Sequence, residues 1–313
     1  MPENSTPTIV VGADGTDRCN DALTFAARLA GPHCRLLIVN AYPSGGYSSL
    51  ARPTDWLSSV EDEAQRKLAL AETQLPDSVA AETRAIAADS PAHALHDTAE
   101  GVEASLIVIG STHRGVIGRA IAGTTAERLL NGAPCPVVVV PHGFAESQPP
   151  IHEIGVAWDG SPEADAALSA ATVLAGAIGA NLRIIRAFTV PVVFAGMGAV
   201  APAASLEDDV RDAAAADVDS ALDLLAAEHR PEAEVVHGAA GQVLVERSEG
   251  LDLLVCGSRG YGPLRAVLLG SVTAHVLSHA GCPVVVVPRG VTSPLEWFGQ
   301  ALSDLALPAA RGI

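Results

Sequence analysis

Two sets of glycine, serine and threonine residues recur at the same spacing in this chain, and their chemistry is that of a loop wrapping an anion. Gly110-Ser111-Thr112-His113 is followed after nine residues by Gly123-Thr124, and Gly257-Ser258-Arg259-Gly260 after nine residues by Gly270-Ser271. Each set then leads into the same heptapeptide, Cys135 to Pro141 and Cys282 to Pro288. Glycine lets backbone N–H groups approach a phosphate where a β-carbon would intrude, and a following helix start adds amides, hydroxyls and the favourable end of the dipole. Such a site needs no lysine. Neither loop is a Walker A motif, because neither has Gly-Lys-Ser/Thr after its glycines. Neither is the GxGxxG of a dinucleotide fold, because each follows the fourth predicted strand of its half rather than the first.

The elements that must position these loops alternate between strand and helix. Thr8 to Gly12 is a short apolar run ending at Asp14-Gly15, and a helical stretch from Asp21 to Ala30 follows. The pattern then predicts a strand over Arg35 to Ala41, a helix from about Val60 to Gln74, and a strand near Ala80 to Ile86. A helix over Ala92 to Gly101, the strand Ser105 to Ile109, the loop, a helix over Thr125 to Leu130 and the strand Val137 to Val140 complete the first half. The second half repeats this order. Its predicted strands are Ile154 to Trp158, Leu182 to Phe188, Glu234 to His237, Leu251 to Cys256 and Val284 to Val287. Its predicted helices begin at Pro162, Glu207 and Val243, with another opened by Ser271; the helix from Glu207 runs to Ala227. Strands apolar on both faces and separated by helices imply a parallel sheet covered on both sides. The expected fold is therefore α/β: two tandem doubly wound domains, each with a five-stranded, mostly parallel sheet. The expected boundaries are 1–146, a linker at 147–152 containing Ser147-Gln-Pro-Pro150, 153–290, and a tail at 291–313 in which Trp297 and Phe298 are candidates to pack back on the body.

Composition supports two cores of roughly 150 residues. The chain has 313 residues, 49% of them hydrophobic and only 4% aromatic, and a formal net charge of −17. That charge argues against nucleic acid or an anionic membrane surface as the main partner, because both repel it. Lys67 is the only lysine. The start of the chain lacks the basic and apolar regions of a signal peptide, and no apolar run reaches the roughly 18 residues that span a bilayer, so a soluble cytoplasmic protein is expected. Five cysteines (Cys19, Cys34, Cys135, Cys256, Cys282) without CxxC spacing suggest buried free thiols rather than disulfides or zinc ligands.

In a doubly wound sheet, ligands bind at the carboxyl ends of the strands, near the point where strand order reverses. The first strands deliver Gly12-Ala13-Asp14 and Ala157-Trp158-Asp159 there, the fourth strands deliver the glycine loops, and Thr124-Thr125 and Ser271-Val272 open the following helices. On these residues the chain resembles the universal stress protein family in its tandem two-domain form. The family signature Gly-x2-Gly-x9-Gly-Ser/Thr is met in full by Gly257, Gly260, Gly270 and Ser271, and Ile154 to Ser161 is similar to the family's first strand and turn. The resemblance covers about residues 8 to 141 and 153 to 288. It implies an ATP site, with Mg2+ held through the phosphates. Carried over by position, Ala157 and Asp159 meet the nucleoside and Ala187 the adenine. Gly257, Ser258, Arg259, Gly260, Tyr261 and the neighbouring Gly262 meet the phosphates, with Gly270, Ser271, Val272 and Thr273 on their far side. The matching first-half positions are Gly12, Asp14, Ala41, Gly110, Ser111, Thr112, His113, Arg114, Gly115, Gly123, Thr124 and Thr125. The first half departs at His113, which stands where the second has Gly260. Two outcomes compete there: a rearranged loop, with Gly115 and Gly118 supplying flexibility, that still binds, or a side chain that fills the phosphate space.

Other candidates are weaker. His275 and His279, and His93 and His96, have metal-compatible spacings but no third ligand at a clear spacing, so no metal is expected. Asp208-Asp209 and Glu61-Asp62-Glu63 are expected to be solvated helix starts that complement the dipole. Gly-x-Ser-x-Gly is absent and no general base is evident, so no catalytic residue is assigned. By resemblance, the leading function is a regulatory nucleotide-binding protein of a stress or dormancy response. Slow ATP hydrolysis or nucleotidyl transfer in the same clefts, and a protein-interaction module that binds no nucleotide, remain as alternatives. Family domains associate through their last strands, so the resemblance also implies that Val137 to Val140 and Val284 to Val287 pair within the chain. Homodimerisation of the whole chain and an unknown regulatory protein partner stay open.

Overall fold

The structure is a computed structural model that describes residues 6–31, 34–44, 56–111, 124–147, 150–190, 193–195, 198–200, 204–223, 231–258 and 269–289. The first half contains β1 (Thr8–Gly12), α1 (Asp17–Ala30), β2 (Arg35–Tyr42), α2 (Trp56–Glu72), β3 (Ala80–Ala87), α3 (Pro91–Gly101), β4 (Leu106–Gly110), α4 (Thr124–Leu130), β5 (Val137–Val140) and α5 (Phe144–Ser147). The second contains β6 (Glu153–Ala157), α6 (Pro162–Ile178), β7 (Asn181–Phe188), β8 (Val193–Ala195), β9 (Gly198–Val200), α7 (Ala204–Leu222), β10 (Glu232–His237), α8 (Ala240–Ser248), β11 (Leu253–Gly257), α9 (Ser271–His279) and β12 (Val284–Val287).

Ten of the strands form one sheet in the order β10-β7-β6-β11-β12-β5-β4-β1-β2-β3. Within each half every pairing in this sheet is parallel, and β1 lies between β2 and β4 just as β6 lies between β7 and β11. The strand order therefore reverses beside β1 and beside β6, where such sheets open a crevice. The halves join through β5 and β12, which pair antiparallel with Val284 opposite Val139, Val285 opposite Val138 and Val286 opposite Val137. The register is two-fold about Val138 and Val285, as in an isologous dimer interface. The intrachain pairing expected from the family resemblance is thus the observed seam. The outer edges of the fused sheet are β3 and β10. Their charged residues, Glu82 and Arg84 on one and Glu232 and Glu234 on the other, discourage further strand addition.

The apolar strands bury both of their faces, and each face has its own core running through both halves. One core gathers Ile9, Val11, Val138, Val285, Val255 and Ile184 with α1, α2, α6 and α7. The other gathers Val10, Ile107, Val137, Val284, Leu254 and Ile185 with α3, α4, α8 and α9. Local chemistry starts and stops the helices that cover them. At α6 the Ser161 hydroxyl accepts from Ala164 N at 3.2 Å, Pro162 occupies the first turn, and Gly179 ends the helix in the left-handed region (φ 70°).

Several sequence expectations change. The helix α1 begins at Asp17 rather than Asp21, and Asp21 is instead a buried acid facing the segment after β5. Its carboxylate accepts from Gly143 N (3.1 Å) and Ala145 N (2.8 Å) and lies 3.2 Å from His142 Nδ1. These bonds cap α5, which the sequence does not announce and which includes Ser147, the first residue of the expected linker. Phe25 of α1 meets Phe144 edge to face, with centroids 5.6 Å apart. The acids expected at helix starts lie in second turns, because α2 begins at Trp56 and α7 at Ala204. There they form neighbouring ion pairs, Glu63 with Arg66 (2.7 Å) and Asp208 with Arg211 (3.1 Å). The hairpin β8–β9 is a further addition. The tail with Trp297 and Phe298 lies outside the described residues, as do the last expected residues of α7.

Replacing Asp21 with Ala leaves the half-buried Gly143 and Ala145 amides without their acceptor. The expected cost is about 1–3 kcal/mol, seen as a lower urea midpoint with an unchanged slope in circular dichroism; an unchanged midpoint would contradict the capping role.

Candidate functional site

Each half carries a cleft at the carboxyl ends of its central strands, and the same backbone devices build both. After β1 the chain turns at Asp14, whose Oδ1 accepts from Thr16 N (3.0 Å) and Thr16 Oγ1 (2.5 Å). After β6 the Oδ1 of Asp159 accepts from Ser161 N (3.0 Å) and Ser161 Oγ (2.5 Å). Glycine at positive φ follows in both turns, Gly15 at 78° and Gly160 at 80°. The turn aims the helix start at the end of the fourth strand. There, a β-carbon on Gly110 would stand 2.2 Å from the Arg18 carbonyl oxygen, and one on Gly257 would stand 2.8 Å from that of Glu163. These are backbone atoms that cannot step aside, so both positions require glycine.

The first cleft, of about 150 Å3, is lined by Gly12, Asp14, Ala41, Gly110 and Thr125 among the residues expected from sequence. Thr124 begins α4 beside it. Ser111 continues the β4–β5 ladder through Ser111 N to Val140 O (2.8 Å), and its buried hydroxyl has no hydrogen-bond partner among the described residues. Thr112, His113, Arg114, Gly115 and Gly123 lie outside the described residues, so the competition at His113 is left where the sequence leaves it.

The second cleft, of about 610 Å3, is lined by Ala157, Asp159, Ala187, Gly257, Gly270, Ser271, Val272 and Thr273. Ser258 accepts from Gly270 N at 2.9 Å, which brings the two ends of the loop together. Thr273 Oγ1 donates to Gly257 O (2.9 Å) and ties α9 to β11. Gly270 is the N-cap of α9 and supplies no side-chain cap. Arg259, Gly260, Tyr261 and Gly262 lie outside the described residues.

The halves differ in charge at their turns. Arg18 reaches back to Asp14 Oδ2 at 3.2 Å, so both oxygens of that carboxylate are engaged. Asp159 Oδ2 takes no hydrogen bond or ion pair among the described residues, and the position of Arg18 is held by Glu163. Asn40 donates to the Ala13 carbonyl, whereas Arg186 at the matching place in β7 stands 5.7 Å from the Trp158 ring centre. Arg18, Asn40, Trp158 and Ser161 all line the clefts, and of these Arg18 and Asn40 are additions to the residues that the sequence brings to the strand ends. The spacing of Arg18 and Glu163, four residues beyond each Asp, is the signal that could have found the charged pair. The single lysine is a further addition, because its stem lies against Gly15 of the first turn.

Among the described residues no group of three or more His, Cys, Asp or Glu side chains could hold a metal ion. His275 and His279 stack on each other, with centroids 4.3 Å apart, and His279 Nδ1 lies 2.8 Å from the His275 carbonyl. All five cysteines are buried and free. Desolvation pushes Cys19 up to about 11 and Cys34, Cys135 and Cys256 up to about 12, and it raises Cys282 as well. Among the described residues no helix is long and apolar enough to cross a membrane.

The universal stress protein family model matches residues 6–141 and 150–288, and the chain belongs to that family. It is 28% identical over 294 residues to a universal stress protein of Mycobacterium tuberculosis, covering 89% of this chain and 96% of that one. A universal stress protein of Mycolicibacterium smegmatis is also 28% identical, over 305 residues, covering 90% and 97%. In fold, the chain is similar to the crystal structure of a universal stress protein from Archaeoglobus fulgidus, with a TM-score of 0.67, 19% identity, and coverage of 92% of this chain and 100% of that one.

The raised thiol pKa values set a pH dependence. A thiol ionises in the unfolded chain near pH 9.0 but is held neutral in the fold, so its contribution is complete below about pH 9 and is lost as pH rises towards 11–12. The urea midpoint is therefore expected to fall steadily above pH 9, and less steeply in a Cys34→Ala variant. An equal fall in both proteins would assign the alkaline loss to other groups.

Proposed function

We propose that this protein is a regulator that binds ATP in its second half. The observation that carries this reading is Asp159 Oδ2, which takes no hydrogen bond or ion pair among the described residues and belongs to the lining of a cleft of about 610 Å3, a size within the ordinary range for small-molecule sites. A ribose hydroxyl is the natural donor to such a carboxylate oxygen. The close glycine end of β11 and the uncapped start of α9 offer backbone amides to phosphate. The intact Gly257, Gly260, Gly270, Ser271 spacing joins these two ends of the site. ATP meets Ala187 through its base, and Mg2+ is held through the phosphates, since no acidic ligand group gathers among the described residues.

Each half acts as one domain, with the division at 147–152. The first half takes nucleotide more weakly: its cleft is about 150 Å3, its Asp14 is tied to Arg18, and His113 replaces the loop glycine. The physiological role in this reading is a cytoplasmic response to stress or dormancy, and membership of the family is what supports it.

Calorimetric titration of the purified chain with ATP is expected to give one strong site. Asp159→Ala removes a charged acceptor worth about 1.5–3 kcal/mol and should weaken that site at least about tenfold. Absence of adenine nucleotide binding in the native protein would sink the proposal, and steady phosphate release abolished by Asp159→Ala would move it towards an ATPase.

A further inference from the structure

The residue seated on the first glycine of each loop carries opposite charge in the two halves. A β-carbon on Gly110 would meet the Arg18 carbonyl at 2.2 Å, and one on Gly257 would meet the Glu163 carbonyl at 2.8 Å and its Cβ at 3.0 Å. Glu163 therefore packs directly on the first residue of the intact loop. Its side chain is only 7% exposed. A desolvated carboxylate at that place would repel a polyphosphate strongly, because little water screens it. It is not left alone: Arg289 contacts the Glu163 carboxylate with both Nε and a terminal guanidinium nitrogen. Arg289 follows β12, the strand paired with β11, after Pro288, and lies one residue beyond the stretch matched by the family model.

We propose that Arg289 is a positioning residue for the second site, acting through Glu163. By neutralising that carboxylate it holds the first turn of α6 on Gly257 and keeps negative charge away from the phosphate end of the cleft. The inference rests on the reading that the second half binds adenine nucleotide. It adds a chemical rule: the contribution of Arg289 grows with the number of phosphates and vanishes for the bare nucleoside. The first half manages the same place differently, since Arg18 supplies a cation there and pairs with Asp14.

The test uses the full chain and three probes, ATP, AMP and adenosine, titrated calorimetrically. Arg289→Gln is expected to weaken ATP about tenfold or more, AMP less, and adenosine by under about twofold, the order that a charge left unpaired beside the phosphates dictates. Arg289→Lys should keep most of the ATP affinity. The double variant Glu163→Gln with Arg289→Gln removes both charges and should return ATP to within about threefold of the parent. Parallel loss for ATP and adenosine, an unchanged ATP affinity in Arg289→Gln, or failure of the double variant to recover each overturns the proposal. If Arg289→Gln does not stay folded, the ATP-to-adenosine affinity ratio of the double variant decides alone: a parental ratio supports the proposal and a lowered one overturns it. A parent chain that binds adenosine but not ATP overturns it too, whereas a parent that binds none of the three probes defeats the underlying nucleotide reading first.

Discussion

The backbone contact between the end of the fourth strand of each half and the first turn of the helix that follows the Asp turn is the constraint on which both sites depend. At Gly110 and Gly257 the opposing atoms are carbonyl groups of Arg18 and Glu163, at distances no β-carbon tolerates. A side chain at either glycine would have to push a whole helix away from the sheet. Because the helix stays close, the Asp turn that starts it is held beside the glycine loop that leaves the strand. The 3-2-1-4-5 strand order of each half supplies the crevice. The glycine supplies its closeness, and everything polar in the cleft is measured from that contact.

A second constraint acts at the middle of the molecule. Val137–Val140 and Val284–Val287 are buried along their whole length, with no polar face to turn towards water. Two such strands, each last in its own five-stranded set, are stable only if something covers their open edges. Pairing them with each other completes both ladders and extends each core across the seam. The two-fold register places the two reversal points in equivalent positions of the fused sheet.

The alternation of apolar runs with helical stretches made the fold legible, because strands buried on both faces leave a continuous signal and the tandem repeat shows it twice. The Asp turns, the strand-end glycines and the helix-opening hydroxyls were legible for the same reason. What escaped depends on partners distant in sequence. Asp21 reads as the start of α1 until the Gly143 and Ala145 amides are found on its carboxylate, and α5 has no local mark without that cap. The acids of α2 and α7 read as dipole partners because both helices begin a turn further upstream, at Trp56 and Ala204, than the acidic runs suggest. Arg18 and Glu163 share a fixed spacing from each Asp, but their backbone contact with a glycine of the fourth strand depends on the fold. His113 is conspicuous in sequence, yet its effect turns on a loop outside the described residues.

The steric and electrostatic parts of the two sites have diverged to different degrees, and the physics explains the order. Glycine at 110 and 257 is imposed by backbone atoms of the facing helix, and the Asx-type turns at Asp14 and Asp159 have the same geometry in both halves. Charges around the turn are less constrained, because an exposed ion pair such as Arg18 with Asp14 contributes only about 0–1 kcal/mol. A side chain there can change sign without loss of the fold, provided a buried charge finds a partner. In the second half a buried acid, Glu163, stands where the first half has Arg18, and its cation, Arg289, follows β12. Among the described residues one oxygen of Asp159 takes no partner, whereas Arg18 occupies the corresponding oxygen of Asp14. The same backbone thus presents an available acceptor in one half and an engaged one in the other, and that difference arises within the described turns, independently of His113.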